Sequence, residues 1–246
     1  MTQRTVLYGV SPVHQCLLHQ NRPCHELFMK KVAGSSPRLQ EIHKLAREKE
    51  IPVRETDPHG LAKITGTKIH QGVALICGAL KTHSLDEIMS ALDGSSPRLI
   101  IALDQLEDPQ NVGAIIRTAA FLGADALITL KNRSAPLSPT VSKASAGALE
   151  YFPIIEVTNL AESLKQLKKQ GFFVWGASLS DDSVPFTRAS LTDWKVLVVG
   201  NEGSGLRQLT EKRCDQLIHI PGKSDTESLN VSAAAAILIQ HFVAST

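Results

Sequence analysis

The sequence predicts an α/β protein in which a parallel-sheet domain follows a smaller α/β domain. Short apolar runs alternate with amphipathic helical segments along most of the 246 residues. The apolar runs of the C-terminal half are continuous, as strands buried on both faces of a parallel sheet must be. A break at residues 93–97, Asp-Gly-Ser-Ser-Pro, separates the two regions.

Composition and spacing exclude several classes of protein. An apolar content of 43% and a charged content of 20% are those of a soluble globular chain. The longest apolar run, at 233–239, is far shorter than the ~20 residues that span a bilayer. The N-terminus lacks the charged and apolar regions of a signal peptide, so we expect a cytoplasmic protein with no membrane partner. The four cysteines and nine histidines lack ligand spacing, so we expect neither a metal site nor a disulfide framework.

The formal net charge of +2 is unevenly distributed. Residues 1–80 contain 11 Lys+Arg and 6 Asp+Glu, a surplus of +5, whereas residues 99–246 contain 13 and 15, a balance of −2. The basic surplus favours contact between the N-terminal region and a polyanion, but it could equally serve only to solvate a small domain. The candidate phosphate contacts are Arg22, Lys30, Lys31, Arg38 and Lys63.

Residues 1–80 predict a compact α/β unit of about the minimum size for an independent domain. Two Ser-Pro pairs, at 11–12 and 36–37, supply an N-cap and a first-turn proline for two helices. The other apolar runs predict a short helix at 58–65 and strands at 5–9, 25–31, 52–56 and 72–80.

Residues 81–98 are the predicted linker, within which Leu85, Ile88, Met89 and Leu92 are spaced for one helical face. From residue 99 onward strands and helices alternate, which predicts a mainly parallel sheet. The predicted strands are 99–104, 124–130, 152–158, 172–178, 195–200 and 216–221. The predicted helices begin near 111 and 228 and span about 140–150, 160–170 and 206–214, with a polar surface excursion at 180–190.

The helix that begins near Asn111 contains an arginine among small and apolar residues. Its predicted buried stripe consists of Val112, Ile115, Ile116 and Ala119. Arg117 lies on an adjacent face between Gly113 and Ala120, which leave room for a ligand. An arginine in such surroundings predicts an anionic partner or a functional role.

Two loops follow consecutive strands near the C-terminus. The loop Asn201-Glu-Gly-Ser-Gly205 follows one strand, and a polar loop at 222–227 with Ser228-Leu-Asn-Val-Ser232 follows the next. Because parallel sheets bind ligands at the carboxyl ends of their strands, the loops are predicted to border one pocket. Taken singly, each loop also has an explanation without a ligand. Glycine loops are common, and Ser-Leu-Asn-Val-Ser could be no more than a helix cap.

Three segments resemble, in order, the signature motifs of the SpoU/TrmH family of SPOUT-class RNA ribose 2′-O-methyltransferases. They are Asn111-Val-Gly-Ala-Ile-Ile-Arg-Thr-Ala119, Val199-Gly-Asn-Glu-Gly-Ser-Gly-Leu206, and Ile220-Pro with Ser228-Leu-Asn-Val-Ser-Ala-Ala234. The resemblance covers the chain from about Leu99. The first region, with Tyr8-Gly-Val-Ser-Pro-Val-His14 and His70-Gln-Gly-Val73, resembles the substrate-binding extension of the branch that methylates a guanosine of 23S ribosomal RNA.

The resemblance implies S-adenosylmethionine as the methyl donor, a homodimer and a deep C-terminal trefoil knot. It also implies an RNA-binding domain at 1–80, a linker at 81–98 and a SPOUT methyltransferase domain at 99–246. The implied cofactor contacts are Gly200, Ile220 and Leu229. The implied catalytic residues are Arg117, Asn111, Glu202, Ser228 and Asn230.

The role of Arg117 stays open between two mechanisms. The family's motifs assign it to proton removal or hydroxyl activation, but an arginine normally stays protonated. Alternatively it holds the RNA phosphate and orients the 2′-hydroxyl. Glu202 would orient Arg117 or Asn230, and it could also cap the helix from Leu206. Asn111, Ser228 and Asn230 would position ribose, phosphate and the motif loops.

Two other functions remain as alternatives. The first is methylation of a transfer-RNA ribose, although most transfer-RNA enzymes of the family lack the first domain. The second is a non-catalytic RNA-binding or ribosome-assembly protein. The presence of Arg117, Glu202 and Asn230 argues against it.

Overall fold

The computed structural model describes residues 4–31, 36–91, 98–222 and 228–244. The chain divides into two compact units. Unit 1 comprises Met1–Lys81 together with Leu137–Tyr151, and unit 2 comprises Thr82–Pro136 and Phe152–Thr246. The division predicted from the sequence did not anticipate that 137–151 would join unit 1. No helix within the described residues is long and apolar enough to cross a membrane.

The helices and strands alternate through most of the chain. In chain order they are β1 (Thr5–Tyr8), α1 (Val10–His19), β2 (Cys24–Met29), α2 (Pro37–Glu48), β3 (Val53–Glu55), α3 (Pro58–Thr65), β4 (Val73–Cys77), α4 (Leu85–Ala91), β5 (Arg98–Asp104), α5 (Pro109–Leu122), β6 (Ala126–Leu130), α6 (Pro139–Ala144), β7 (Ile154–Val157), α7 (Leu160–Lys169), β8 (Phe173–Ala177), β9 (Val184–Pro185), β10 (Trp194–Gly200), α8 (Gln208–Glu211), β11 (Gln216–His219) and α9 (Val231–Ala244). The alternation confirms the predicted α/β class. Leu92, the break at 93–97 and loop residues 223–227 lie outside the described ranges.

Unit 1 contains a sheet whose described strands have the order β1-β4-β2-β3. Strand β4 is antiparallel to both β1 and β2, and β3 is parallel to β2. The carboxyl ends of β1, β2 and β3 therefore lie at the same edge of the sheet as the amino end of β4. Helices α1 and α2 supply apolar side chains such as Leu17 and Ile42 to a core with Leu27 and Leu75.

The Ser-Pro signals predicted one helix start correctly and missed the other slightly. Ser36 is the N-cap of α2 and Pro37 is its first residue, as predicted. Helix α1 instead begins at Val10 after Gly9, whose φ of 95° is readily adopted only by glycine. Pro12 is tolerated as the third residue because the first N–H groups of a helix lack partners anyway.

The segment 137–151 is held in unit 1 by a buried ion pair. Arg22 Nε lies 2.8 Å from Glu150 Oε2, and Arg22 also donates from a terminal nitrogen to Glu150 Oε1 at 3.0 Å. Ser142 Oγ donates to the same carboxylate at 2.7 Å. Arg22 is only 4% exposed, so its predicted role as a phosphate contact is wrong.

The predicted helix at 140–150 is interrupted in its middle. Helix α6 ends at Ala144, and a separate 3₁₀ turn follows at Ala148–Glu150. Between them Ala146 and Gly147 have φ angles of 51° and 87°. Two successive residues in this left-handed region cannot continue an α-helix.

Unit 2 contains a parallel sheet, as predicted, and its described strands have the order β7-β6-β5-β10-β8-β11-β9. From β5 the chain moves to β6 and β7 on one side, whereas β10 pairs with β5 on the other. The carboxyl ends of β5 and β10 therefore mark the point where strand order reverses, which is where open parallel sheets bind ligands. Strand β9 was not predicted. It lies in the polar segment 180–190 and pairs with β11.

Helices α5 and α9 pack against each other, and α9 also packs on β10. The ring of Trp175 on β8 meets Phe242 of α9 edge-on, with centroids 5.3 Å apart. On the other sheet face, α7 contributes Leu160, Leu164 and Leu167 to the core. Both faces of the sheet are thus covered, which accounts for the continuous apolar strands.

Candidate active site

The site lies where β5 and β10 end side by side. Asp104, the last residue of β5, is in register with Gly200, the last residue of β10. The chain leaves these strands in the segments 105–108 and 201–207. The second motif, at 199–206, therefore begins beside the polar loop at 105–108, which precedes the first motif at 111–119.

The loop after β10 is closed by its own hydrogen bonds. The backbone N–H of Asn201 donates to the Gly205 carbonyl at 3.0 Å, and Gly205 N–H donates back at 2.9 Å. Asn201 Oδ1 also accepts from Gly203 N–H at 2.9 Å. A Cβ atom on Gly200 would lie 2.5 Å from the Gly205 carbonyl oxygen. The fold of the loop itself therefore requires glycine at 200.

A buried carboxylate anchors the far end of this loop. Asp104 is fully buried and accepts from the backbone N–H of Arg207 at 3.0 Å and from Arg207 Nε at 2.7 Å. At the near end, Asn201 Nδ2 donates to the Gln105 carbonyl at 3.0 Å. The sequence reasoning missed these residues, although a carboxylate that closes an apolar strand was a signal for Asp104. The predicted helix at 206–214 is observed only as α8, whose N-cap is Arg207.

A chain of side-chain hydrogen bonds connects the three motif segments. Asn111 Nδ2 donates to Glu202 Oε1 at 2.6 Å, and Asn230 Nδ2 donates to Asn111 Oδ1 at 3.1 Å. Asn230 Oδ1 accepts from the N–H groups of Ser232 and Ala233 at the start of α9. Glu202 thus contacts Asn111, and it reaches Asn230 only through Asn111. Within the described ranges, α8 receives no side-chain cap from Glu202.

Helix α5 separates Asn111 from Arg117. Asp108 caps the helix by accepting from Gln110 N–H at 2.9 Å, so α5 begins two residues earlier than predicted. Asn111 therefore lies in the first turn of α5, and Arg117 lies roughly 9 Å further along the axis. Arg117 is exposed and forms no hydrogen bond or ion pair with any described residue. Its guanidinium is available to an anion, and Glu202 does not orient it.

The remaining predicted residues are accessible. Ile220 is half-exposed after β11, and Leu229, next to Asn230, keeps 50% of its surface exposed. Ser228 is exposed and makes no hydrogen bond among the described residues. The third motif therefore presents two apolar side chains, Ile220 and Leu229, that a ligand can reach.

Two protein-family models match the chain. The model for the SpoU rRNA Methylase family matches residues 98–240. The model for RNA 2'-O ribose methyltransferase substrate binding matches residues 6–83. Together the two models match residues of both units. The SpoU rRNA Methylase model alone matches more than half of the chain.

Similar proteins agree with both models. The 23S rRNA (guanosine-2'-O-)-methyltransferase RlmB of Neisseria meningitidis serogroup B is 37% identical over 97% of this chain and 94% of its own length. The protein of that name from Xanthomonas campestris is 40% identical over 84% of each chain. The solved structure of the SpoU methyltransferase AviRb from Streptomyces viridochromogenes with AdoMet has a TM-score of 0.81, 22% identity, and covers 98% of this chain and 90% of its own. These matches and the ordered motifs show that the chain belongs to the SpoU rRNA methylase family.

Proposed function

We propose that this protein transfers a methyl group from S-adenosylmethionine to the ribose 2′-hydroxyl of a guanosine in 23S ribosomal RNA. The observation that carries the proposal is the hydrogen-bonded chain Glu202–Asn111–Asn230, which joins the three motif segments of unit 2. The relatives at 37% and 40% identity supply the substrate class through their names.

Bound S-adenosylmethionine supplies an electrophilic methyl group on a sulfonium. Ile220 and Leu229 would provide apolar contacts to its adenine, and backbone groups near Gly200 would hold its polar part. The chain must then align the ribose oxygen with the methyl carbon and handle the proton of a poor nucleophile.

Arg117 is proposed to hold an RNA phosphate and orient the neighbouring 2′-hydroxyl. A guanidinium keeps its proton in proteins, so the phosphate or a water is the better acceptor for the hydroxyl proton. The exposure of Arg117, with no carboxylate partner among the described residues, supports this role over proton removal by a free base.

The other motif residues are proposed to position the substrate. Asn111 is held at both ends of its amide by Glu202 and Asn230, so its orientation is fixed before substrate arrives. Asn230 also caps α9, which ties the third motif to the same arrangement. Ser228 is exposed beside it, where its hydroxyl can bind ribose or phosphate.

Methyl transfer to isolated RNA tests the proposed function. The full chain is incubated with S-adenosylmethionine labelled in its methyl group and, in parallel, with unmodified transcripts of 23S rRNA or transfer RNA. We expect label only in 23S rRNA, at a single guanosine, mapped by the resistance of 2′-O-methylated ribose to alkaline cleavage. Label in transfer RNA would support the alternative substrate, and no label in either RNA would leave the non-catalytic alternative.

A homodimer is proposed for the functional enzyme, as in the family resemblance. Phe121 at the end of α5 is 87% exposed, and Ile237 on the adjacent α9 is also exposed. Large apolar side chains that remain exposed on two packed helices indicate a surface that another molecule covers. A second copy of the chain would cover it in a symmetric pair.

Phe121→Glu is expected to convert the protein to a monomer, because the new carboxylate would be buried without a partner. Light scattering after size-exclusion chromatography measures the mass. Leu179→Glu is the matched control, since Leu179 is 67% exposed but lies outside α5 and α9. A Phe121→Glu protein that keeps the mass of two chains would exclude this surface as the dimer interface.

Three further features belong to the same proposal. We expect a trefoil knot in the C-terminal part, supported by the position of β10 between β5 and β8. Residues 99–246 and 1–80 are expected to serve as methyltransferase and RNA-binding domains, joined by the linker at 81–98. A ribosomal RNA substrate supports a cytoplasmic location.

A further inference from the structure

One edge of the unit 1 sheet collects residues from four separate parts of the chain. Tyr8 ends β1, Lys30 follows β2, and the segment 70–72 leads into β4. The antiparallel direction of β4 places all of them at one edge. Lys143, from α6, also reaches this edge.

Backbone and side-chain bonds join the two segments that resembled a substrate-binding extension, at 8–14 and 70–73. Gln71 Oε1 accepts from the backbone N–H of Val10 at 3.0 Å. The backbone N–H of Lys30 donates to the Gly72 carbonyl at 3.0 Å. A Cβ atom on Gly72 would lie 3.0 Å from Lys30 Cδ, so the lysine side chain runs across this glycine. The edge is therefore an ordered surface rather than a set of independent loops.

The ammonium of Lys143 is held at this edge in a defined position. Its Nζ lies 5.2 Å from the centroid of the Tyr8 ring and donates to the carbonyl of Ile69. Partial burial lowers the pKa of Lys143, because the ammonium has lost part of its hydration. An ammonium has three donors, so others remain for a ligand. A cation that is already ordered and partly desolvated loses less entropy and hydration when it binds an anion.

The charge around the edge is mostly positive. Lys30, Lys31 and Lys68 are exposed near it in the chain. Two acids, Glu55 at the end of β3 and Asp57 just after it, line one cavity with Lys30 and Lys31. Asp57 is already bound to Gly60 N–H at 2.7 Å as the cap of α3. Lys30, Lys31, Lys68 and Lys143 outnumber these two acids, so the balance of charge along the edge favours an anion.

We propose that Lys143, together with Tyr8 and Lys30, forms a phosphate-contact site for the RNA substrate on unit 1. The inference rests on the proposed function, since it takes RNA as the ligand. It assigns a purpose to the segment 137–151, which supplies Lys143 to a surface otherwise built from the first 81 residues. Neither Tyr8 nor Lys143 was among the candidate phosphate contacts predicted from the sequence.

Salt-dependent RNA affinity of the full chain tests the site. Filter binding of a 23S rRNA transcript is measured over a series of KCl concentrations for wild type, Lys143→Met, Lys143→Arg and Lys30→Met. Loss of one phosphate contact should reduce the slope of log affinity against log salt by about 0.7 to 0.9. We expect this for Lys143→Met and Lys30→Met, with weaker binding, whereas Lys143→Arg keeps the wild-type slope because it keeps the charge.

Lys44→Met is the matched control. It removes one positive charge from unit 1, but Lys44 is 76% exposed on α2 and 3.7 Å from Glu48. It should leave the slope unchanged. Thermal unfolding shows whether Lys143 only ties its segment to Ile69. A folded Lys143→Met protein with wild-type affinity and slope would overturn the proposal, and Lys30→Met provides the same test if Lys143→Met does not fold.

The result is separable from that of the proposed function. Binding to the transcript needs no cofactor and no methyl transfer. If the wild-type chain transfers no methyl group to RNA, the proposed function fails. If the wild-type chain methylates 23S rRNA but the two methionine variants bind it normally, only this site is wrong.

Discussion

Replacing Arg117 with alanine is expected to abolish methyl transfer to RNA while leaving the affinity for S-adenosylmethionine nearly unchanged. The guanidinium is exposed and free of partners within the described residues, so no other side chain depends on it. The proposed cofactor contacts, Gly200, Ile220 and Leu229, belong to other segments. Loss of a positioned charge at a reacting group typically costs about 100-fold or more in rate.

Single-turnover transfer measures the rate, and calorimetry measures cofactor affinity. Arg117→Lys should also fail, because a point charge cannot reproduce the planar fork of a guanidinium on phosphate. Arg188→Ala, at another exposed arginine of unit 2, is the control and should keep activity. Appreciable turnover by Arg117→Ala would remove Arg117 from the mechanism.

Breaking the buried Arg22–Glu150 pair is expected to destabilise unit 1 severely. Both side chains are almost fully buried, at 3% and 1% exposure. Arg22→Met leaves the Glu150 carboxylate buried without its cationic partner, although Ser142 still donates to it, which should cost about 3–5 kcal/mol. Hydrogen exchange should show the loss of protection in unit 1 first, because the pair lies within it.

The same variant should respond to pH with a definite sign. Burial raises the pKa of Glu150 above its ordinary value of 4.5, and Arg22 and Ser142 oppose that rise. Without Arg22 the pKa rises further, so the folded state binds a proton that the unfolded state releases above pH 4.5. Stability of Arg22→Met should therefore fall as pH rises from 4.5 through the raised pKa, and mild acid should recover part of it.

Two controls isolate the pair. Arg22→Met combined with Glu150→Leu removes both charges and should recover much of the lost stability. Lys44→Met breaks an exposed pair with Glu48 and should change stability by less than about 1 kcal/mol. Equal stability of wild type and Arg22→Met would show that the pair does not hold 137–151 in place. Deleting residues 1–80 would test the role of unit 1 less clearly than these substitutions, because the remaining chain would keep Glu150 without its partner Arg22.

The sequence by itself determined the class of fold, most elements and the motif residues. Continuous apolar runs predicted β5, β6, β8 and β10, because a strand buried on both faces is apolar at most positions. Ser36-Pro37 predicted the start of α2 for an equally local reason, since a cap depends on the residues within one turn. The three motifs also follow from short segments, each readable without its neighbours in space.

Only the tertiary structure decided which distant residues act together. Arg22 and Glu150 are 128 residues apart, and Asp104 and Arg207 are 103 apart, so no local pattern signals either pair. The membership of 137–151 in unit 1 has the same cause, as its partners lie in the first 81 residues. Asn111, Glu202 and Asn230 were each found from the sequence, but their hydrogen bonds depend on strand order. Strand order results from packing across the whole sheet, which hydropathy along a single segment does not encode.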